Sequence, residues 1–151
     1  MKIYIAASFA YADKKSTEAA QQIIMTVAYG LRNRGFDVFV PHEHKLPNAW
    51  DLSNHDWGMA VYGMDVNALE ESDVVVALSQ GKQFNQDGFA LECGYACGRG
   101  KRVILLSLRP EMVESIMITS AAYTWLNDIN ELLNYDFDEM PQIRTATNEV
   151  S

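Results

Sequence analysis

Residues 90–103, "ALECGYACGRGKRV", place one carboxylate, Glu92, inside a run of small and apolar side chains. On a helix its neighbours three and four positions away are Gly88, Phe89, Tyr95 and Ala96, none of them a cation. Two readings are open. Glu92 is a surface glutamate near the positive end of a helix dipole, worth about 0.3–1 kcal/mol there, or a carboxylate left free for chemistry. Asp65, with Val61, Tyr62 and Leu69 around it on a second helix, is similarly uncomfortable as a purely solvated group. Asp73, just before an apolar strand, suits a cap or a salt bridge, and Asp87 followed by Gly88 suits a helix N-cap. Phe9, Trp50 and Trp57 serve either as core or as surfaces on which a flat ring stacks.

Other chemistries lack their residues. "SQGKQFNQDG" contains neither a dinucleotide fingerprint nor a Walker-type Gly-Lys-Ser/Thr. No Gly-x-Ser-x-Gly or Cys/His pairing points to acyl transfer. Cys93 and Cys97, four apart on one helix, read as small buried residues, because nothing else completes a metal-ligand set. What remains is carboxylates and aromatics, and a pair of carboxylates flanking an anomeric carbon is the usual apparatus for breaking a glycosidic bond.

These residues need elements to position them. The 151 residues, 48% hydrophobic, suit one compact domain spanning 1–151. A net charge of -8, with the basic residues scattered, argues against nucleic acid or an anionic membrane as partner. No stretch reads as a signal peptide or a membrane span, so a cytoplasmic protein is expected. Strands are expected at 2–7, 37–40, 72–79 and 101–108. Helices are expected from Ser16 or Thr17 as cap to Gly35, from about 57 to 71, from about Gly88, and over 127–134. The segment "MITSAAYTWL" between them is mixed. Strands alternating with helices imply an α/β layered fold with a parallel sheet. Ligands then sit outside the carboxyl ends of the strands, at 7–10, 41–50, 80–88 and the loop after Ser107, with Glu92 looking into that crevice.

On "KIYIAASF", "VFVPHEHKLP", "YGMDVNAL", "GFALECGYA" with "GKRV", and "NYDF", in that order over most of its length, the chain resembles the nucleoside 2-deoxyribosyltransferases. The resemblance implies a flavodoxin-like three-layer fold with a central parallel sheet. It also implies transfer of 2-deoxyribose between free nucleobases through a glutamate nucleophile, matching Glu92, with net retention. By the same likeness Asp65 lies near the departing base, Tyr4 orients the nucleophile, and Phe9 and Trp57 line the base pocket. No metal or organic cofactor is implied, and a homo-oligomer built from dimers, such as a hexamer, is.

Four departures from the family pattern bear on substrate contacts. Gln86 stands where an aspartate commonly holds the sugar 5′-hydroxyl, with Asp87 and Gly88 next to it; Lys45 replaces a base-reading glutamine. Ser115 stands where a neighbouring subunit's asparagine often reaches the site, and the tail ends "NEVS" instead of in an aromatic residue. Rival readings are an N-glycosidase hydrolysing nucleoside 5′-monophosphates, aided by Lys82, a non-catalytic nucleotide-sensing module, and a structural oligomer subunit.

Overall fold

The computed structural model describes residues 1–8, 10–81, 86–109 and 114–144. Five strands form a parallel sheet: β1 (Lys2–Ala7), β2 (Asp37–Phe39), β3 (Val74–Ser79), β4 (Arg102–Ser107) and β5 (Thr124–Leu126), in the order β2-β1-β3-β4-β5. Helices α1 (Lys14–Asn33), α2 (Asn54–Glu71), α3 (Asp87–Gly98), α4 (Ile116–Ala121) and α5 (Ile129–Leu133) connect or flank them. This order is the flavodoxin-like one of a doubly wound sheet.

Side chains alternate across each strand, and the alternation decides what faces the site. Ile3, Ile5, Val74, Val76, Ile104 and Leu106 pack beneath α1 and α5 with Ile24, Val27, Leu31 and Leu132. Tyr4, Ala6, Val75, Ala77, Val103 and Leu105 face the opposite layer, against Leu69 of α2 and Phe89, Cys93 and Ala96 of α3. Tyr4 is fully buried there, on the face that also receives the helix carrying Glu92. β3 is buried at all six positions, as a strand covered on both faces requires. Asp73 closes the amino end of the sheet by accepting from the Lys2 backbone N–H at 2.7 Å while its own N–H donates to Lys2 O.

Several boundaries differ from the sequence expectations. Asp13, not Ser16 or Thr17, caps α1: its carboxylate accepts from the Ser16 N–H at 2.8 Å, and Thr17 is engaged with Tyr11 instead. Gly35 follows the end of α1 with φ +89°, a conformation that favours glycine. α2 begins at Asn54, earlier than expected, because Ser53 accepts from the Asp56 N–H. Asp87 is not the cap of α3 but its first residue, with Gln86 in the cap position and no side-chain cap bond; the carboxylate then adds charge to the first turn only. The mixed segment contains both α4 and β5.

Candidate active site

α2 and α3 lean together over the face of the sheet that holds Tyr4, and a groove of about 200 Å³ runs between them. Trp57, Val61, Tyr62 and Asp65 line it from α2, and Gly88, Leu91, Glu92 and Tyr95 from α3. A second cavity of about 500 Å³ shares Trp57, Val61 and Asp65 with the groove and extends beneath the loop after β2, past His42, His44, Lys45 and Trp50. Asp65 thus stands at the junction of two spaces. One reaches the Glu92 carboxylate and the other the donors of the β2 loop.

The polar atoms at this junction are poorly paired. Among the described residues, the Tyr4 hydroxyl, Asp65 Oδ1 and Glu92 Oε2 are buried and lack a hydrogen-bond partner. An unpaired buried polar group costs about 1–3 kcal/mol, so three in one place single this junction out as a candidate site. Burial first and the nearby Asp65 second push Glu92 up to about 8, against the opposing pull of contact with the Tyr4 hydroxyl. That contact falls short of a well-formed hydrogen bond, and such contacts often tighten only when substrate is bound. Asp65 is raised to about 6 by burial and lowered by His44. Burial, reinforced by the Glu92 and Asp65 charges, pushes the Tyr4 phenol above its ordinary value, so it stays a neutral donor. Two carboxyl groups with raised and separated affinities can hold one proton between them near neutrality.

The predicted residues fall into three groups. Tyr4, Asp65, Glu92, Trp57 and Gly88 gather around the groove, and Lys45 lines the adjoining cavity. Gln86 turns back on its own loop, its Nε2 donating to Gly81 O at 3.1 Å, and Asp87 is exposed. Ser115 is exposed at the start of α4 and lines neither space. Phe9, Lys82 and the tail from 145 lie outside the described residues. Trp50, 97% exposed, stands at the rim of the larger cavity. Cys93 is buried, its thiol pushed up to about 12 by burial, and Cys97 is half-buried. No group of three His, Cys, Asp or Glu among the described residues could hold a metal ion.

Sequence reasoning passed over His44. Its ring lies flat on Phe39, centroids 4.3 Å apart and planes 4° apart, and Phe39 stacks in turn on Tyr4 at 5.4 Å. The available signal was "PHEHK" immediately beyond a strand's carboxyl end, where parallel sheets place ligand contacts.

Comparison with known proteins agrees with this fold. A Limosilactobacillus fermentum nucleoside deoxyribosyltransferase is 27% identical over 147 residues, covering 91% of this chain and 86% of the relative. A Thermofilum pendens protein, provisionally named a 2′-deoxynucleoside 5′-phosphate N-hydrolase, is 32% identical over 130 residues, covering 84% and 81%. The solved 2-deoxyribosyltransferase of Bacillus psychrosaccharolyticus superimposes with a TM-score of 0.82 at 26% identity, over 95% of this chain and 98% of that one. The sequence profile of the nucleoside 2-deoxyribosyltransferases matches residues 3–134, and the chain belongs to that family, whose chemistry is deoxyribosyl transfer or the related cleavage of an N-glycosidic bond.

Proposed function

We propose that the protein exchanges nucleobases on 2-deoxyribose through a covalent deoxyribosyl-Glu92 intermediate. The observation that carries the reading is the burial of Glu92 and Asp65 in one groove, beside Tyr4 and with no salt-bridge partner among the described residues. The pair holds about one proton at neutral pH. The higher affinity of Glu92 places that proton there at rest; for attack it passes to Asp65, leaving Glu92 as the carboxylate, oriented by the Tyr4 hydroxyl. A Glu92 oxygen bonds to C1′ as the C1′–N bond breaks through an oxocarbenium-like transition state. The electron pair leaves with the base, whose ring nitrogen takes the proton from Asp65. A second base returns its proton to Asp65, attacks C1′ and frees Glu92. Two displacements give net retention.

Trp57 and the walls of the larger cavity would hold the base, and the groove beside Glu92 the sugar. Substrates are then a small deoxynucleoside and a free base, in a cytoplasmic setting. A second subunit is proposed to cover the groove, since Tyr62, Leu91, Ile116 and Met117 leave apolar surface exposed. The 32% identical relative favours a second reading, hydrolysis of a deoxynucleoside 5′-monophosphate. The exposed Asp87 in the first turn of α3 opposes it, because a phosphate there meets a like charge.

Incubation with deoxyuridine and hypoxanthine separates the readings. Deoxyinosine is expected, together with a sugar adduct on the Glu92 peptide after rapid quenching. Uracil released from deoxyuridine 5′-monophosphate in a parallel incubation, with no deoxyinosine formed from deoxyuridine, would put the hydrolase first, and no turnover of nucleoside or nucleotide would leave a sensing role.

A further inference from the structure

The cavity beyond Asp65 is furnished with hydrogen-bond donors. Lys45 offers three N–H groups and no acceptor, and His44 offers an imidazole edge whose neutral form adds one N–H donor beside one acceptor nitrogen. Neither side chain makes a hydrogen bond to another described residue. The loop that carries them is nonetheless held. Arg32 clamps Glu43, between the two histidines, with N–H···O contacts of 2.6 and 3.2 Å, and donates to Val38 O at 2.8 Å. Stacking on Phe39 occupies one face of the His44 ring, so what the ring has left to offer is its other face and its edge. A donor-rich wall on a braced loop, across the cavity from the Asp65 carboxyl group, is an arrangement with a sign.

Nucleobases differ in that sign. Guanine, and hypoxanthine with it, presents O6 and N7 as acceptors, and thymine and uracil present O4; adenine and cytosine present an amino donor at the corresponding position. A donor opposite a donor leaves both unsatisfied. The sign matters more as the base departs, because a keto base spreads its developing negative charge onto the carbonyl oxygen, where an ammonium stabilises it.

We propose that Lys45 and His44 are specificity-determining residues that select keto-bearing nucleobases over amino-bearing ones, in purines and pyrimidines alike. The proposal rests on the deoxyribosyl-transfer reading for its ligand class, yet it can be tested without turnover. Glu92→Ala leaves the larger cavity intact, since Glu92 does not line it. Calorimetric titration of this variant with free hypoxanthine against adenine, and uracil against cytosine, reads the subsite directly. The keto base of each pair should bind roughly ten- to a hundredfold more tightly, the range of a hydrogen bond to a charged group. Lys45→Gln in the same background supplies a donor and an acceptor, and should bring each ratio within about threefold. His44→Phe retains the stack on Phe39 but not the ring nitrogens, and should narrow the ratios in part.

Equal binding, amino preference, no detectable binding of any base, or ratios untouched by Lys45→Gln would overturn the proposal. A keto preference in binding, with wild-type protein that exchanges no base, would instead remove the transfer reading and leave the selectivity standing.

Discussion

Glu92→Gln should make the protein more stable, and increasingly so as pH rises. The folded protein holds the Glu92 proton up to about 8, whereas the carboxyl group of an open chain releases it near 4.5. Between those values the folded state binds more protons than the unfolded one, so stability falls as pH climbs through the window. The gap corresponds to about 5 kcal/mol at about 1.4 kcal/mol per pH unit. Glu92 is only partly buried by surface area and a carboxylate can draw in water, so about 2–4 kcal/mol is the expected cost above pH 8. Glutamine is a neutral replacement of nearly the same shape and escapes that cost. For a chain of this length each kcal/mol moves the melting temperature by about 2–4 °C, so the variant should gain roughly 5–15 °C over wild type at pH 8.5–9. Near pH 4.5 the gain should disappear, because both side chains are then neutral. Calorimetric melts of the two proteins at several pH values provide the measurement. A melting-temperature difference that stays flat with pH, or a variant less stable at pH 9, would refute the claim that the site holds its carboxylate at a cost.

Asp65→Asn should reduce exchange by roughly two to four orders of magnitude, with smaller losses for bases that leave without protonation; equal losses for every leaving group would make Asp65 a structural residue. The same variant should let Glu92 ionise at lower pH, because one cause of its raised affinity is gone, and the acid limb of kcat/KM should move down by about one to two pH units. Tyr4→Phe should leave the melting temperature within a few degrees, since the lost hydroxyl has no hydrogen-bond partner among the described residues, yet slow turnover by roughly ten- to a hundredfold. Asp87→Ser should raise activity on deoxynucleoside 5′-monophosphates relative to deoxynucleosides by about three- to tenfold, modest because the group is exposed and screened; wild type that already handles both equally would contradict the role given to this loop. Sedimentation at assay concentration should show an oligomer, and Met117→Asp, at a position 75% exposed in the single chain, should dissociate it.

Much of the architecture was legible because parallel sheets write themselves strongly. "VVVALS" is apolar at all but its last residue since both of its faces are covered, and α1 carries its apolar stripe over twenty residues. β5 and α4 were not legible as separate elements. They are three and six residues long, too short for either period to register, and β5 is recognisable only through its pairing with β4 and the Trp125 N–H donating to Ile143 O. The cap of α1 was misplaced because "DKKST" holds three capping residue types, and only the chain's path shows which carboxylate reaches a free N–H. The unpaired setting of Glu92 was legible from the absence of cations around it in the sequence. The direction of His44 was not, because a ring's orientation comes from the Phe39 stack, and no spacing in the sequence encodes a stack between a strand and the loop after it.

The contrast along α2 explains why that absence of cations carries meaning. Five residues beyond Asp65, Glu70 is held by Arg99 at 2.7 Å, and next to it Glu71 is held by Lys2 at 2.9 Å. Cations were therefore within reach of this layer of the fold, and its outer acids use them. Asp65 and Glu92 form no such salt bridge among the described residues. A lysine placed between them would satisfy the buried oxygens and remove most of the stability cost worked out above. It would also drive both carboxyl groups to the ionised form. Under the proposed mechanism the Glu92 charge would then be neutralised where C1′ develops positive charge, and Asp65 would have no proton for the departing base. Neutral Tyr4 solves the first problem differently, since it can donate one hydrogen bond to aim the carboxylate without cancelling its charge. For the proposed sharing of a single proton between two acids, a phenol is thus a better neighbour than an ammonium. In this reading the unpaired oxygens are the condition for the chemistry, and the rest of the sheet supplies the stability that they cost.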